Sequence, residues 1–295
     1  MARPRPFLPL TATRTAVDVV RTASDLSSSA RGWQRDGFVV GVVPTMGALH
    51  EGHASLIRRS RETTDRVVVT IFVNPKQFND QRDFESYPDT WEADRRLCAE
   101  LGVDTIYHPG VDEMYPPGFR SSVHVSGLTE RWEGADRPGH FDGVTTVVTK
   151  LLVASCADVA FFGQKDFQQA TVVRRMVLDL DIPVRIEVCS TGRDHDGLAL
   201  SSRNRRLDAS SRRRALAIPR SLEAVQEAFA SGIHDGESLA TVGREVLNAN
   251  DLEIHYVAVV DPVTLEPVER AVVGSVLLVA ATCAGVRLID NHVLA

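Results

Sequence analysis

Cysteine is scarce and unpatterned in this 295-residue chain: Cys98, Cys156, Cys189 and Cys283 form no C-x-x-C pair. That spacing excludes a zinc ribbon or a disulfide scaffold and reads as reduced thiols in a cytosolic protein. No stretch reaches the roughly 18 to 20 uninterrupted apolar residues that span a bilayer, so no membrane role is expected. An excess of positive charge is missing too, since the formal net charge is -6; a general nucleic-acid binder would carry a basic face, and no nucleic-acid partner is expected. The densest basic run, Arg203 to Arg214 in "RNRRLDASSRRR", could contact phosphate or RNA but reads mainly as a solvated helix face. Repeats and low-complexity segments are also absent. The opening "MARPRPFLPLTATRTAV" has arginines before an apolar patch, but Pro4, Pro6 and Pro9 interrupt it and no signal-length apolar region follows. Residues 1–12 are therefore expected to form a loose tail.

What is present is ordinary globular composition, 43% hydrophobic and 24% charged, in a chain long enough for one large and one smaller domain. Residues 13–36 read as a helix. "FVVGVVPTM" (38–46) is a short apolar run ending in Pro and Gly, as a buried parallel strand would be. A helix should follow from about Gly52 to Thr63, then a strand in "DRVVVTIFVNP" (65–75), a helix from about Thr90 to Leu101 and the strand "GVDTIYHP" (102–109). "ADVAFFG" (157–163), a helix over 166–180 and "PVRIEVCS" (183–190) continue the alternation, which implies a parallel sheet covered on both faces. Beyond 191 the pattern changes to a polar stretch, long helices over about 208–231 and 237–249, and the strands "EIHYVAVVD" and "GSVLLVAATCAGVRLID". The reading is a doubly wound α/β domain over 1–191 and a small α+β domain over 192–295.

"GVVPTMGALHEGH" (41–53) carries a strand into a helix start. Helix N-termini offer unpaired N–H groups to phosphate, and Gly47 and Gly52 let a ligand approach the backbone. His50 and His53, one turn apart, could both donate hydrogen bonds to phosphate oxygens. A helical metalloprotease needs histidines four apart with Glu beside the first; the gap here is three, although Glu51 is present. A purely structural histidine pair is the plainer alternative. In "FFGQKDFQQ", Lys165 is either a solvated loop lysine or a compact charge for a phosphate. In "LSSRN", Ser201 and Ser202 either start a helix or join Arg203 as phosphate donors, and the two roles are compatible.

"PTMGALHEGH" closely resembles the ATP-binding signature of the pantothenate synthetase (pantoate–β-alanine ligase) family, within the H-x-G-H nucleotidyltransferase class. "IFVNPKQF" (71–78), "DFESYPDT" (83–90), "RPGHFDGVTTVVTKLL" (137–152), "FFGQKDFQQ" (161–169) and "DGLALSSRN" (196–204) match in order, covering about 38 to 207. The resemblance implies a Rossmann-like sheet domain with a C-terminal lid, a cytoplasmic homodimer, and a ligase that uses ATP and Mg²⁺ in the biosynthesis of pantothenate, the coenzyme A precursor. It also implies ATP contacts from Met46, Gly47, Ala48, Leu49, His50, Glu51, Gly52 and His53, from Gly163, Gln164, Lys165 and Asp166, and from Gly192, Leu200, Ser201, Ser202 and Arg203. His50, His53, Lys165, Ser201, Ser202 and Arg203 would be catalytic, with His53 as proton donor. Gln77, Gln169 and Met46 would bind pantoate, and Gln77 also β-alanine. Pro44, Met46 and Phe72 would form an apolar wall; Asn74, Tyr87, Glu133, Arg137 and His140 rank second for the pocket. Three positions depart from the family pattern: Gln164 for Glu, Asp89 for Arg, and Gly192 for a small apolar residue. The rival functions are a mononucleotide adenylyltransferase of the same class and a non-catalytic ATP-binding sensor.

Overall fold

In the computed structural model, residues 17–79, 84, 85 and 87–295 are described; the tail expected over 1–12 and part of "DFESYPDT" lie outside them. Six parallel strands, β1 (Asp18–Val20), β2 (Val40–Thr45), β3 (Arg66–Ile71), β4 (Thr105–Tyr107), β5 (Val159–Gly163) and β6 (Arg185–Cys189), form one sheet in the order β1-β4-β3-β2-β5-β6. The four central strands, β2 to β5, are largely buried, as a doubly covered parallel sheet requires, while the edge strands β1 and β6 are more open. On one face pack α1 (Ala23–Arg35), α4 (His140–Ser155) and α5 (Phe167–Asp179), through Leu26, Val144, Val148, Leu151, Val173 and Met176. On the other face, α2 (Glu51–Thr63) and α3 (Trp91–Glu100) contribute Leu56, Ile57 and Cys98 against Val43, Val69 and Phe161.

The helix read over 13–36 is corrected at its start: Asp18–Val20 is a strand paired with Thr105–Tyr107. Thr22 begins the helix instead, its hydroxyl accepting from the Asp25 N–H at 3.1 Å, a cap that fixes the boundary. The departure at Asp89 has a local role, since its carboxylate accepts from the Trp91 N–H at 3.2 Å at the head of α3.

Three antiparallel strands, β7 (Glu253–Val260), β8 (Val276–Cys283) and β9 (Val286–Val293), form the second sheet. Two of the sequence assignments here need correction. "GSVLLVAATCAGVRLID" is a hairpin rather than one strand, turning at Ala284 and Gly285, where φ is 49° and 74°; two residues at positive φ match the twist of antiparallel strands. The helix over 208–231 is two pieces, α6 (Ala209–Ala215) and α7 (Ala217–Ala230), because Pro219 has no N–H to give to the carbonyl of Ala215. With α8 (Gly236–Asn248), α7 covers one face of this sheet through Ile218, Leu222, Val225 and Leu239. The other face, with Ala258, Val260 and Leu278, meets Leu128, Trp132 and Phe167 from the first sheet's side.

Candidate active site

The chain winds from β2 through β3 to β4 in one direction, then from β5 to β6 in the other, so the strand order reverses between β2 and β5. Ligands of doubly wound sheets bind outside the carboxyl ends of the strands at that point. A cleft of about 650 Å³ opens there, lined by Met46, His50, His53, Gln77, Lys165 and Arg203 among others.

His50 is the N-cap of α2. Its Nδ1 accepts from the Gly52 N–H at 3.1 Å, and Nδ1 of His53 accepts from the His50 N–H at 3.3 Å. The reciprocal capping box normally made by Ser/Thr and Glu is here made by two imidazoles. Burial, reinforced by Lys165, holds His50 below its ordinary value, while burial and the neighbouring His50 drive His53 down to about 3. Both rings are therefore neutral near pH 7, and a neutral ring whose Nδ1 accepts carries its proton on Nε2. Each ring presents one Nε2–H donor to the cleft. In this neutral form His53 can offer a hydrogen bond from Nε2.

The turn before His50 is held from behind. Gly47 and Ala48 both lie in the left-handed region, with φ 81° and 50°, a conformation that costs a non-glycine residue stability. The buried Asp94 carboxylate of α3 accepts from the Ala48 N–H at 2.9 Å and the Leu49 N–H at 2.8 Å, while Thr90 Oγ1 donates to it at 2.9 Å. These backbone donors are thus committed to the protein's own anion. Gly47, Ala48 and Leu49 sit behind the cleft wall, and Glu51 turns outward to pair with Arg58.

Lys165 lies at the end of β5, its Nζ 3.5 Å from Asp166. Gln164 does not line the cleft; its amide meets Asn291 of β9 at 3.3 Å, and Asn291 Nδ2 donates to the carbonyls of Gln164 and Lys165 at 2.8 and 2.9 Å. Ser201 caps a short 3₁₀ turn, accepting from the Arg203 N–H at 3.3 Å. The N-cap expected of that run is therefore present at Ser201. Ser201, Ser202, Arg203, Gly192, Leu200, Gly163 and Gly52 all line the cleft. The same 3₁₀ turn brings Arg205 and Arg206 to its wall, two cations of the basic run for which the sequence favoured a solvated face over a phosphate contact. Further along that run Arg212 is half-buried and pairs with Asp194 and Asp196 at 2.6 and 2.8 Å, so it is not part of a solvated face.

At the opposite end of the cleft, Gln77 Oε1 accepts from Asn74 Nδ2 at 3.1 Å and its Nε2 donates to Met46 Sδ at 2.9 Å. Asn74 is locked in turn by the Gly143 carbonyl at 3.0 Å and the Tyr115 hydroxyl at 2.7 Å. Pro44, Phe72, Gln169, Arg137 and His140 complete this end. Tyr87 lines the cleft beside the Ser201–Arg203 run, where its hydroxyl meets Ser202.

A family model described as pantoate-beta-alanine ligase matches residues 18–293. A pantothenate synthetase of Cereibacter sphaeroides is 54% identical over 92% of this chain and 98% of its own. The crystal structure of a pantothenate synthetase from Thermus thermophilus superposes with a TM-score of 0.87 at 43% identity, covering 94% of this chain and 99% of that one. A pantoate-beta-alanine ligase from Francisella tularensis, crystallised with beta-gamma ATP and beta-alanine, superposes with a TM-score of 0.78 at 32% identity, covering 94% and 98%.

Proposed function

The chain belongs to the pantoate-beta-alanine ligase family, and from that membership we propose that it joins pantoate to β-alanine using ATP, with release of AMP and pyrophosphate. The observation that carries this reading is the pairing, across one cleft, of two neutral imidazole donors and a cationic loop set with an opposite end built from the amides of Gln77 and Gln169 beside Arg137. Family membership also decides between acid–amine ligation and the rival transfer of a nucleotide to a phosphorylated acceptor.

A carboxylate resists attack by an amine until one of its oxygens belongs to a good leaving group. The pantoate carboxylate oxygen attacks the α-phosphorus of ATP, and the bond to the bridging oxygen breaks as pyrophosphate departs. The β-alanine amine then attacks the acyl carbon of the bound pantoyl adenylate. A C–N bond forms, the C–O bond to AMP breaks, and the nitrogen sheds a proton. No protein side chain becomes covalently attached. His50 and His53 steady the α-phosphate through Nε2–H; Lys165, Ser201, Ser202 and Arg203 hold the remaining phosphate charge. Orientation and fixed charge of this kind are each worth on the order of several kcal/mol.

Among the described residues no cluster of three or more His, Cys, Asp or Glu could hold a metal ion. The cationic lining, with Asp166 as its neighbouring carboxylate, suits Mg²⁺ carried on the phosphates and largely hydrated, where it would supply extra neutralisation of phosphate charge. Residues 192–295 serve as a lid over the reactive adenylate. No described helix is long and apolar enough to cross a membrane, and a cytoplasmic homodimer remains part of this reading. The test is ATP–pyrophosphate isotope exchange, which should need pantoate and not β-alanine and should fall on the order of 100-fold in His50→Ala and Lys165→Ala. Exchange that is absent, or indifferent to both substitutions, rejects the scheme. Gln77→Ala should weaken pantoate binding far more than ATP binding.

A further inference from the structure

The amide of Gln77, read above as a contact for the acid, already has its donor occupied by a neighbouring side chain. Nε2 of Gln77 donates to Met46 Sδ at 2.9 Å, while Oε1 accepts from Asn74 Nδ2 at 3.1 Å. Asn74 is held from turning, since its Oδ1 accepts from the Tyr115 hydroxyl at 2.7 Å and its Nδ2 also donates to the Gly143 carbonyl at 3.0 Å. The Gln77 amide is therefore fixed with Nε2 toward Met46. A thioether is a weak acceptor, so an acid oxygen displaces it readily. A stronger acceptor on the same sulfur would hold the amide against the acid.

Oxidation to the sulfoxide creates that acceptor. Hydrogen peroxide transfers one oxygen to a sulfur lone pair: the S–O bond forms as the O–O bond breaks, the thioether loses two electrons, and the peroxide is reduced to water. Access favours Met46 among the described methionines. Met114 and Met176 are 2% and 1% exposed within the core, whereas Met46 is half-buried and lines the cleft. The thiols are poorly placed to react first. Cys98 and Cys283 are buried, and burial pushes the Cys98 thiol up to about 12 and raises that of Cys189, which disfavours the reactive thiolate. Cys156 caps the far end of α4, the end away from His140 and the cleft. The apolar residues beside Met46, Pro44 and Phe72, offer a sulfoxide oxygen no donor, while Gln77 Nε2 is already in contact.

We propose that Met46 is a peroxide-sensitive modification site whose sulfoxide retains the Gln77 amide and closes the acid-binding end of the cleft. The assignment rests on the ligase reading above, in which Gln77 receives pantoate. It gives the protein a check on acid activation under oxidising conditions, one that needs no change in His50, His53, Lys165 or the Ser201–Arg203 run.

The test exposes the purified full-length protein to hydrogen peroxide and follows pantoate-dependent ATP–pyrophosphate exchange together with peptide masses. One oxygen should be added to the peptide bearing Met46 before those bearing Met114 and Met176, and saturating pantoate should slow that addition several-fold. KM for pantoate should rise on the order of tenfold, with KM for ATP staying within about threefold. Dithiothreitol, which reverses disulfides and sulfenic acids but not a sulfoxide, should restore nothing. Met46→Leu, close in volume, should keep its own untreated KM through the same exposure. An equal rise in Met46→Leu, oxidation of Met114 or Met176 ahead of Met46, or an unchanged KM in protein oxidised at Met46 overturns the proposal. So does a parallel rise in KM for ATP, which would assign the damage to the nucleotide end. Should Met46→Leu fail to fold, protection of Met46 by pantoate and the KM shift of the unsubstituted protein still decide the matter. Failure of the untreated, unsubstituted protein to catalyse pantoate-dependent exchange would instead reject the underlying ligase reading.

Discussion

At the scale of single residues, this site is organised by groups that spend one hydrogen bond on the backbone and keep another for the ligand. His50 and His53 commit Nδ1 to the head of α2 and retain Nε2–H; His140, by contrast, has both ring nitrogens engaged, by the Gln77 carbonyl and by Arg137. A buried neutral histidine has a consequence for stability. The unfolded chain takes up a proton near pH 6.5 and the folded chain resists until about 4, so this contribution is fully present above pH 6.5 and fades as pH falls toward 4. Between pH 6.5 and 5 His140 alone should account for about 2 kcal/mol of lost stability. Denaturant midpoints of His140→Gln should therefore decline less over that interval than those of the unsubstituted chain; equal declines would contradict it. Asp94 offers a second test. Asp94→Asn replaces one of two acceptor oxygens with a donor facing the Ala48–Leu49 amides, so the turn that places His50 loosens. Activity should drop on the order of 100-fold, with circular dichroism unchanged and pantoate binding retained. The sequence displayed His50, His53, Lys165 and the Ser-Ser-Arg run directly, because their chemistry and spacing are local. Asp94 and Arg205 were not legible that way: an aspartate inside a helix and an arginine inside a basic run acquire their roles only when the chain brings them to the cleft.

At the scale of elements, a close backbone approach at the cleft joins the 3₁₀ turn Pro75–Gln77 to α4. A Cβ on Gly143 would stand 2.3 Å from the Lys76 carbonyl oxygen and 2.8 Å from the Gln77 nitrogen, both backbone. Gly143→Ala must therefore push the turn off the helix and disturb the Asn74 bond to the Gly143 carbonyl. We expect KM for pantoate to rise at least tenfold, ATP affinity to stay level and stability to fall by about 1–3 kcal/mol, measured by steady-state kinetics and thermal melts. A variant with unaltered KM for pantoate would show that the close approach does not set the Gln77 position. Legibility at this scale followed periodicity and turn chemistry. β2 and β3 stood out as apolar β-branched runs and β5 as a short apolar one, whereas α4 carries six β-branched residues in "GVTTVVTK" and is helical because it is covered by both α1 and α5 rather than by propensity. The β8–β9 turn hid inside a continuous apolar run because Ala284 is not a usual turn residue.

For the whole molecule, the question is what keeps water from the activated acid. β9 touches both phosphate-side loops: Arg193 forms a two-pronged pair with the buried Asp290 at 2.7 and 3.1 Å, and Asn291 holds the carbonyls of Gln164 and Lys165. The same strand sends Arg287 to Glu133 at the amide end. One strand of the small sheet therefore braces three walls of the cleft. This arrangement was beyond sequence reading, since the pairs join residues 97 to 154 positions apart and nothing local marks either partner. Asp290→Asn should weaken the Arg193 pair by about 1.5–3 kcal/mol and let the loop bearing Ser201–Arg203 open. Because adenylate formation needs only a transient closure and its protection needs a sustained one, the first visible effect should be uncoupling. AMP would then form in excess over the amide product when β-alanine is limiting, alongside a rise in KM for ATP on the order of tenfold. Quantifying AMP and pantothenate in the same reaction decides the matter. A ratio that remains at one, with Asp290→Asn folded and KM for ATP raised, would mean that β9 braces nucleotide binding alone and that water is excluded by the first sheet's own loops.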